Sequence, residues 1–517
     1  MNESKVDSAS DCACSKADKN STKNTANTPN TSPKNATLKT LASTYGTPLY
    51  VYDLESIERN FLDFKQAFSG RKSLICYALK ANSNLSILRL LASLGSGADC
   101  VSIGEVRRAM LANIPKYKII FSGVGKKDEE IKEALERDIL FLNVESYEEL
   151  LRIESIAKGL FGGDSSANGA KKSESSAAQN PAQKKAQNTA PAPNATPTQE
   201  PKKARISIRV NPNIDPKTHP YISTGLHENK FGVDIENAKQ MYLYAHHSDF
   251  LEPVGIHFHI GSQLTELEPI RQSAMKIADL ARSLVAIGIP LRFFDIGGGV
   301  GIRYKDENPI KLYDYAQSVL GALSGCDWTI ICEPGRRVVG ESGVLLASVI
   351  GEKKTATKRF VIVDAGMNDL MRPALYHAYH HLEVIAQEAR EVDSKGAESS
   401  KVDSAKIDSG AESSQKTLAD IVGPVCESSD TFCKDIALPT LKAGDIIAFQ
   451  NAGAYGYSMA SSYNSRARPA EVAIYKQEVM LIKPRESFEK SVQDELDALE
   501  SSAKTIENIA KNHKPKL

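Results

Sequence analysis

Lys80 directly follows a short apolar run, Cys76–Leu79, in the N-terminal part of the sequence. A lysine whose stem follows a buried strand and whose amine emerges at the strand's end has few water contacts, so its pKa falls. The neutral amine can then attack a carbonyl carbon. The alternative is a lysine whose charged end simply extends from a core strand into solvent. Polar residues at the ends of later apolar runs favour the nucleophile.

Two histidines, His257 and His259, lie near the end of the later run Val254–Ile260. Because side chains alternate along a strand, we expect both rings to point to the same side. Histidines are common metal ligands, but no Glu or Cys nearby in the sequence completes a set of three or four. We therefore predict no metal at this point of the chain.

Four glycines lie in Asp295–Gly301 (DIGGGVG), and Glu333–Arg336 (EPGR) follows the next apolar run. Successive glycines let backbone N–H groups approach an anion such as a phosphate. A carboxylate beside such a loop can keep a pyridine nitrogen protonated, which makes the ring an electron sink. A reactive lysine, a histidine, a glycine loop and a carboxylate together fit pyridoxal 5'-phosphate, so we predict this cofactor.

These residues need a scaffold that brings strand ends together, and the sequence indicates one. Between Ser73 and Arg336, eight β-rich runs alternate with amphipathic helical patterns. The runs are Leu74–Leu79, Ala98–Ser102, Lys118–Ser122, Ile139–Val144, Arg205–Val210, Val254–Ile260, Arg292–Ile296 and Thr329–Cys332. Eight βα units in roughly 260 residues are typical of a (β/α)8 barrel, whose catalytic groups lie at the C-terminal ends of the strands.

After Gly340 the pattern changes, and it predicts a second, β-rich domain. Its strand-like runs are Gly343–Ile350, Phe360–Val363, Asp445–Phe449 and Glu471–Tyr475. We expect an α/β chain: a segment at 37–52 that joins the β domain, a TIM-like barrel at 53–340, the β-rich domain at 341–485, and a polar helical or tail segment at 486–517.

Three low-complexity stretches interrupt these domains, at 1–36, 162–203 and 392–415. They contain almost no large apolar side chains, and the second contains no Val, Ile, Leu, Met, Phe, Tyr, Trp or Cys. Such segments cannot repay the entropy lost on ordering. We predict a disordered N-terminal tail and two disordered insertions.

The composition excludes several classes of protein. Lysine and arginine number 64, as do aspartate and glutamate, so the formal net charge is zero and nucleic acid is not an expected partner. No apolar stretch approaches the ~20 residues of a membrane-spanning helix, so no membrane is expected either. The polar N-terminus shows no secretory signal, which makes the cytoplasm the expected location.

Eight longer motifs lie between about Pro48 and Ile482. They are Tyr77–Asn82, Asn229–Gly232, His257–Gln263, Asp295–Gly301, Glu333–Arg336, Met371–Tyr376, Gly423–Asp430 and Ala454–Gly456. On these motifs the sequence resembles the fold type III pyridoxal-phosphate-dependent decarboxylases, and among them the diaminopimelate decarboxylase family. The two inner insertions depart from the compact family pattern. The resemblance implies decarboxylation of meso-2,6-diaminoheptanedioate at its D-centre to L-lysine and CO2, the last step of lysine biosynthesis.

The resemblance also implies how the cofactor is held. Lys80 would be bonded covalently to it, His259 would stack on its ring, and Glu333 would pair with the pyridine nitrogen. The other cofactor-binding residues would be Ser262, Gly297, Gly298, Gly299, Gly335, Arg336 and Tyr455.

For the substrate, a small amino acid, the resemblance implies a second set of contacts. Arg336, Arg372 and Tyr376 would hold its distal carboxylate, which suits the planar guanidinium group. Glu427 would hold the distal ammonium, and Tyr455 would lie near both substrate and cofactor. Cys426 would return a proton to Cα. The resemblance further implies a homodimer with shared active sites, in which the turn that carries Cys426 reaches the partner's barrel.

Other reactions of related enzymes stay open as alternatives. The first is decarboxylation of ornithine, arginine or carboxynorspermidine, although ornithine has no second carboxylate for Arg336 and Arg372 to bind. Alanine racemase shares the fold type, but typically has an arginine where this chain has Glu333. A non-catalytic relative that binds pyridoxal phosphate would lack the lysine or the thiol, and both are present.

Overall fold

The structure, a computed structural model, describes residues 35–162, 202–215, 230–385 and 416–512. The chain begins there with α1 (Asn35–Tyr45), β1 (Leu49–Asp53) and α2 (Leu54–Ala67). Eight parallel strands then close into a barrel in which each strand pairs with the next along the chain and β9 pairs with β2. They are β2 (Ser73–Ala78), β3 (Gly97–Cys100), β4 (Ile119–Phe121), β5 (Phe141–Val144), β6 (Ala204–Arg209), β7 (Leu251–His257), β8 (Phe293–Asp295) and β9 (Thr329–Cys332).

Helices surround the barrel and return the chain from the end of each strand to the start of the next. They are α3 (Leu85–Ser93), α4 (Ile103–Leu111), α5 (Asp128–Arg137), α6 (Tyr147–Phe161), α7 (Ile235–His247), α8 (Glu268–Ala286), α9 (Leu312–Ala322) and α10 (Arg336–Val339). Three of them start at a side chain that accepts a hydrogen bond from the third residue beyond it: Ser102, Ser146 and Asp234. Such N-caps fix the points at which the loops of the barrel mouth end.

The predicted barrel is confirmed, and each of the eight predicted runs overlaps a strand. Two boundaries differ in a way that matters for the site. β2 ends at Ala78, so a short 3-10 turn, Leu79–Ala81, carries Lys80. β7 ends at His257, so His259 lies in the loop beyond it. In both cases the polar residue leaves the strand ladder and reaches the mouth.

The second domain is a nine-stranded mixed sheet that includes β1. Its other strands are β10 (Gly343–Lys354), β11 (Arg359–Val363), β12 (Leu382–Ile385), β13 (Thr417–Val422), β14 (Thr431–Leu438), β15 (Ile446–Phe449), β16 (Ala470–Tyr475) and β17 (Glu478–Lys483). The order is β14-β13-β11-β10-β1-β16-β17, with β15 paired to β10 and β12. The short helix α11 (Arg372–Tyr376) precedes β12, and α12 (Phe488–Asn512) follows β17.

The sequence predicted four strands of this sheet after Gly340, and the structure has eight. β14, for example, carries Lys434 and Asp435 among its apolar residues, which obscures the strand pattern. The exact domain boundaries stay predictions.

The three predicted disordered stretches lie almost wholly outside the described residues. Asn35, the first residue of α1, falls within the predicted tail. At the first insertion, Gly162 ends α6, and Lys202 and Lys203 precede β6. Of the helices described, none has the length and apolar character needed to cross a membrane.

Candidate active site

A cavity of about 660 Å³ opens at the C-terminal ends of the barrel strands. Every predicted site residue lines it except Gly297, Cys426 and Glu427. The barrel therefore brings together side chains that lie as far apart in the sequence as Lys80 and Tyr455, because parallel strands all end at the same mouth.

Lys80 forms an ion pair on the floor of this cavity. Its Nζ lies 2.8 Å from Oδ2 of Asp99, a fully buried carboxylate at the end of β3. Burial lowers the pKa of Lys80, but the charges of Asp99 and Glu333 outweigh it, so the pKa is raised. The predicted lowering of this pKa is therefore wrong for the protein without cofactor. The sequence argument missed Asp99, although the acid lies within the predicted run Ala98–Ser102.

Glu333 follows β9 and faces the cavity as a buried carboxylate. Its Oε2 lies 3.6 Å from Nε2 of His257, and its Oε1 has no hydrogen-bond partner among the described residues. Burial raises the pKa of Glu333, but the facing His257 and Lys80 lower it by more, so the group is held as a carboxylate. An ionised acid with a bare oxygen inside a cavity is suited to accept a proton donor such as a pyridinium.

Asp295 lies beside His257, because these residues are paired in the register of β7 and β8. Its Oδ1 accepts from the amide of Gly297 at 2.9 Å, and burial followed by repulsion from Glu333 raises its pKa. One ligand atom from each of His257, Asp295 and Glu333 lies within 4.8 Å of the others, which is close enough to hold a metal. The sequence argument found no acid near the histidines because these acids come from neighbouring strands. The absence of a metal stays a prediction.

His259 lies at the cavity in neutral form. Burial, followed by the charges of Arg209 and Lys80, lowers its pKa well below the usual value. The amide of Gly298 donates to its Nδ1 at 3.2 Å, which fixes the ring against the glycine loop. An uncharged, fixed imidazole is suited to stack on an aromatic ring.

The glycine loop after β8 passes too close to neighbouring backbone for any side chain. A Cβ at Gly298 would lie 2.1 Å from the carbonyl oxygen of Glu333, and one at Gly299 would lie 2.2 Å from that of Gly261. Gly298 and Gly299 thus present backbone to the cavity, beside the hydroxyl of Ser262. Backbone and hydroxyl groups of this kind suit a phosphate.

Two buried arginines face the same cavity. Arg336 is 8% exposed and donates to the hydroxyls of Tyr304 (2.7 Å) and Ser262 (3.1 Å). Arg372 is 7% exposed, donates to Nε2 of His380 at 2.9 Å, and lies over the ring of Tyr304 at 4.6 Å. Neither forms a salt bridge with a carboxylate in the described part of the chain, so both can bind an anionic ligand.

Tyr304 and His380 are functional neighbours that the sequence argument missed. His380 donates from Nδ1 to the carbonyl of Gln450 at 2.9 Å, which leaves Nε2 to accept from Arg372. Burial and the charge of Arg372 lower the pKa of His380 to about 3, so it stays neutral. The only sequence signal was their position beside predicted motifs, Tyr304 after the glycine loop and His380 after α11.

Tyr376 and Tyr455 line the cavity wall, and the amide of Tyr455 donates to the carbonyl of Ala81 at 2.8 Å. This bond ties the β-rich domain to the turn that carries Lys80. The guanidinium of Arg336 lies 4.8 Å from the ring of Tyr455.

Cys426 and Glu427 are not brought to this cavity. Both are exposed in the turn between β13 and β14. Glu427 accepts hydrogen bonds from Oγ of Ser429 at 3.2 Å and from the hydroxyl of Tyr463. Within one chain, the predicted proton donor and ammonium ligand thus lie outside the site that Lys80 defines.

The residues of the cavity fit pyridoxal phosphate. The bare Oε1 of Glu333 offers an acceptor for the ring nitrogen, Lys80 offers an amine for the aldehyde, and glycine at 298 lets the loop pack against the backbone of Glu333 at the cavity. These groups come from β2, β8 and β9, so one barrel supplies the whole set.

Comparisons with known proteins agree with this geometry. The pyridoxal binding domain of the pyridoxal-dependent decarboxylases matches residues 54–187 and 193–340. The diaminopimelate decarboxylase of Helicobacter pylori strain J99 is 53% identical over 460 residues, which cover 89% of this chain and 98% of that protein. The diaminopimelate decarboxylase of Campylobacter jejuni is 48% identical and covers 88% of this chain and 97% of its own.

Solved structures extend the similarity to the fold. The crystal structure of the Helicobacter pylori enzyme complexed with L-lysine has a TM-score of 0.75 at 52% identity and covers 89% of this chain and all of its own. The M. jannaschii enzyme in complex with L-lysine has a TM-score of 0.72 at 36% identity, with 88% and 93% covered. The identities are high and the matches span nearly whole proteins, and the chain therefore belongs to the pyridoxal-dependent decarboxylases, in the diaminopimelate decarboxylase family.

Proposed function

We propose that the protein uses pyridoxal phosphate to decarboxylate meso-2,6-diaminoheptanedioate, giving L-lysine and CO2 in the last step of lysine biosynthesis. The observation that carries this proposal is the pair of buried guanidinium groups, Arg336 and Arg372, without a carboxylate partner in the described chain. A buried cation is costly unless a ligand neutralises it, and a substrate with a second carboxylate does so.

The cofactor, when bound, supplies an electron sink for the bond between Cα and its carboxylate. Lys80 would bind its aldehyde, and Glu333 would accept a hydrogen bond from its ring nitrogen. The other residues that would hold it are His259, Ser262, Gly297, Gly298, Gly299, Gly335, Arg336 and Tyr455. Asp99, paired with Lys80 at 2.8 Å, can hold the lysine as an ammonium whenever its amine is displaced.

The chain's other residues orient the substrate and deliver a proton. Arg336, Arg372 and Tyr376 hold the distal carboxylate, and Glu427 holds the distal ammonium. Cys426 then donates its thiol proton to Cα. Binding of the distal carboxylate and the distal ammonium by separate groups distinguishes the D-centre from the L-centre of meso-diaminoheptanedioate.

We further propose a homodimer with shared active sites in the cytoplasm. The support within this chain is the exposed position of Cys426 and Glu427, outside the cavity that holds Lys80. A two-fold axis makes the same surface available to both chains, so each turn can complete the partner's site. A biosynthetic role suits the cytoplasm.

A second candidate is decarboxylation of a basic amino acid. A lysine/ornithine decarboxylase from Vibrio vulnificus, complexed with putrescine, has a TM-score of 0.65 at 20% identity, which supports the shared fold and no more. Ornithine would leave the two arginines unneutralised, so we favour the dicarboxylate.

One assay tests the choice of substrate. Purified protein with added pyridoxal phosphate is offered meso-diaminoheptanedioate, lysine, ornithine or arginine in separate reactions, and CO2 and the amine product are measured. We expect CO2 and L-lysine from the first substrate only. Release of CO2 from ornithine or arginine, with none from the dicarboxylate, would overturn the proposal.

A further inference from the structure

The turn that carries Cys426 and Glu427 is exposed, yet it is held by one buried side chain. Asp430, which ends the turn, is 3% exposed. Its Oδ2 accepts from the amide of Val425 at 2.7 Å, within the turn itself. Its Oδ1 accepts from the amide of Met367 at 2.6 Å, in a different loop. One carboxylate thus joins two segments that lie more than 60 residues apart in the sequence.

The backbone of the turn is closed around the same residue. The amide of Gly423 donates to the carbonyl of Asp430 at 3.0 Å, and the amide of Asp430 donates to the carbonyl of Glu427 at 3.1 Å. A Cβ at Gly423 would lie 2.3 Å from Oδ2 of Asp430, so only glycine leaves room for the carboxylate. These contacts fix the path of the backbone on both sides of Cys426.

The second segment that Asp430 holds leads directly to a substrate residue. Met367 lies in a turn in which the amide of Leu370 donates to the carbonyl of Gly366 at 3.1 Å. This turn enters α11, whose first residue is Arg372. The carboxylate therefore links the turn at Cys426 to the start of the helix that carries the arginine.

We propose that Asp430 is a positioning residue, which sets the place of Cys426 and Glu427 by bonding their turn to the Gly366–Met367 loop. It touches neither substrate nor cofactor in this proposal, which rests on the function proposed above. A carboxylate suits the task because it accepts two N–H bonds from opposite sides, and both are charge-assisted. Burial, the largest influence, raises the pKa of Asp430, while these two amide bonds oppose that rise.

The test compares two variants with a matched control. Asp430→Asn keeps the shape but turns one acceptor into a donor, which would then face an N–H group. Asp430→Ala removes both acceptors. The control is Asp420→Asn in the same hairpin, where Asp420 is equally buried and accepts from the amide of Asp435 at 2.9 Å and from Lys358 at 2.8 Å.

Two measurements are made on each full-length protein with pyridoxal phosphate. The first is kcat and KM for meso-diaminoheptanedioate. The second is the rate at which iodoacetamide alkylates Cys426, followed by peptide mass spectrometry, with and without L-lysine. We expect L-lysine to slow the alkylation in the wild type and in Asp420→Asn, because the turn lies at the site.

In Asp430→Asn we expect that protection to be lost and kcat/KM to fall roughly tenfold, as one charge-assisted bond is lost, with a larger fall in Asp430→Ala. If Asp430 served only the stability of the hairpin, Asp420→Asn should lose the protection as well. Protection by L-lysine therefore separates a positioning role from a purely structural one. If Asp430→Ala fails to fold, Asp430→Asn still decides.

Each other outcome has a distinct meaning. A wild type that releases no CO2 from the dicarboxylate contradicts the proposed function. An active wild type with Asp430→Asn indistinguishable from Asp420→Asn overturns the positioning role alone. An active wild type in which L-lysine leaves Cys426 unprotected overturns it as well, because the turn then lies away from the site.

Discussion

The barrel half of the site and the turn at Cys426 are held in opposite ways. In the barrel, Lys80, Asp99 and Glu333 lie in the strands or directly after them, and there Lys80 pairs with Asp99 while Glu333 faces His257. The turn is exposed, and its buried anchor is Asp430, whose side chain accepts hydrogen bonds from two backbone amides. In the function proposed above, the barrel binds its cofactor within one chain, whereas the turn gains its function only when the partner's surface covers it.

The largest effect should follow from removing the lysine. Lys80→Ala should abolish decarboxylation and the borohydride-reducible bond to the cofactor, because Lys80 is the only lysine among the described residues that line the cavity. Activity is measured as CO2 release, and the bond is mapped by mass spectrometry after reduction. A reduced adduct on any other lysine would contradict the assignment.

Arg372 tests the carboxylate-binding part of the barrel mouth. Arg372→Ala should raise the barrier for meso-diaminoheptanedioate by about 1.5 to 3 kcal/mol, the contribution of a charge-assisted contact, and so lower kcat/KM by roughly 10- to 150-fold. The control is Arg337→Ala, which removes a neighbouring guanidinium that pairs with Glu341 at 3.2 Å. Unchanged kcat/KM in Arg372→Ala would reject its role.

Mixed dimers test whether the turn at Cys426 serves the barrel of the partner chain. Lys80→Ala and Cys426→Ala proteins, each nearly inactive, are denatured, mixed in equal amounts and refolded together. If the turn completes the partner's site, about half the dimers are mixed and each has one intact site, so activity should recover to ~25% of the wild type. If both residues serve the same chain's site, no intact site can form.

Verified mixed dimers that stay as inactive as their parents would therefore place Cys426 at its own chain's cavity. Refolded wild type sets the scale, and each variant refolded alone gives the background. The barrel and the turn would then belong to one chain's site.

The sequence could predict the barrel, and it could place Lys80, His259 and Glu333 at its mouth because each lies at or near the end of a strand run. Their roles toward the cofactor stay predictions. It could not predict Asp99, His380 or Tyr304, because their importance lies in contacts across strands and loops that spacing does not encode. Lys80 shows the same limit: burial alone predicts a lowered pKa, and only the structure shows the carboxylate that reverses it. Cys426 was recognised by its motif, yet one chain does not bring it to the cavity, and its place in a site stays a prediction.

A smaller effect should appear in the pH dependence of stability on the barrel side. Burial raises the pKa of Glu105, at the start of α4, to about 6. The folded state therefore favours the protonated carboxyl of Glu105. Its contribution to the free energy of unfolding, at most about 2 kcal/mol, is fully present below about pH 4.5 and is lost as the pH rises through about 6. Glu105→Gln cannot ionise, so its melting temperature relative to the wild type should increase from pH 5.0 to pH 7.5.

Glu129→Gln serves as the control for this measurement, since Glu129 is an exposed residue in the first turn of α5. Its difference from the wild type should be the same at both pH values. A difference for Glu105→Gln that stays constant, or that falls as pH rises, would show that the carboxyl is not perturbed by burial.

The smallest effect should come from the first insertion. Replacing residues 163–201 with a short Gly/Ser linker should leave the melting temperature and turnover nearly unchanged, because the segment has no large apolar side chain to bury. The ends are chosen from contacts: Nζ of Lys203 donates to the carbonyl of Ser248 at 2.8 Å, and Nζ of Lys202 lies 3.5 Å from Asp138.

A longer deletion, 162–203, is the matched comparison, since it also removes Gly162 and both lysines. It should cost stability, because the carbonyl of Ser248 loses its donor and α6 loses the residue that ends it, while turnover of the folded fraction stays the same. The insertion lies between α6 and β6, at the N-terminal end of a barrel strand, and the chemistry lies at the opposite ends. A large fall in turnover after the shorter deletion would show that the segment acts on the site from a distance.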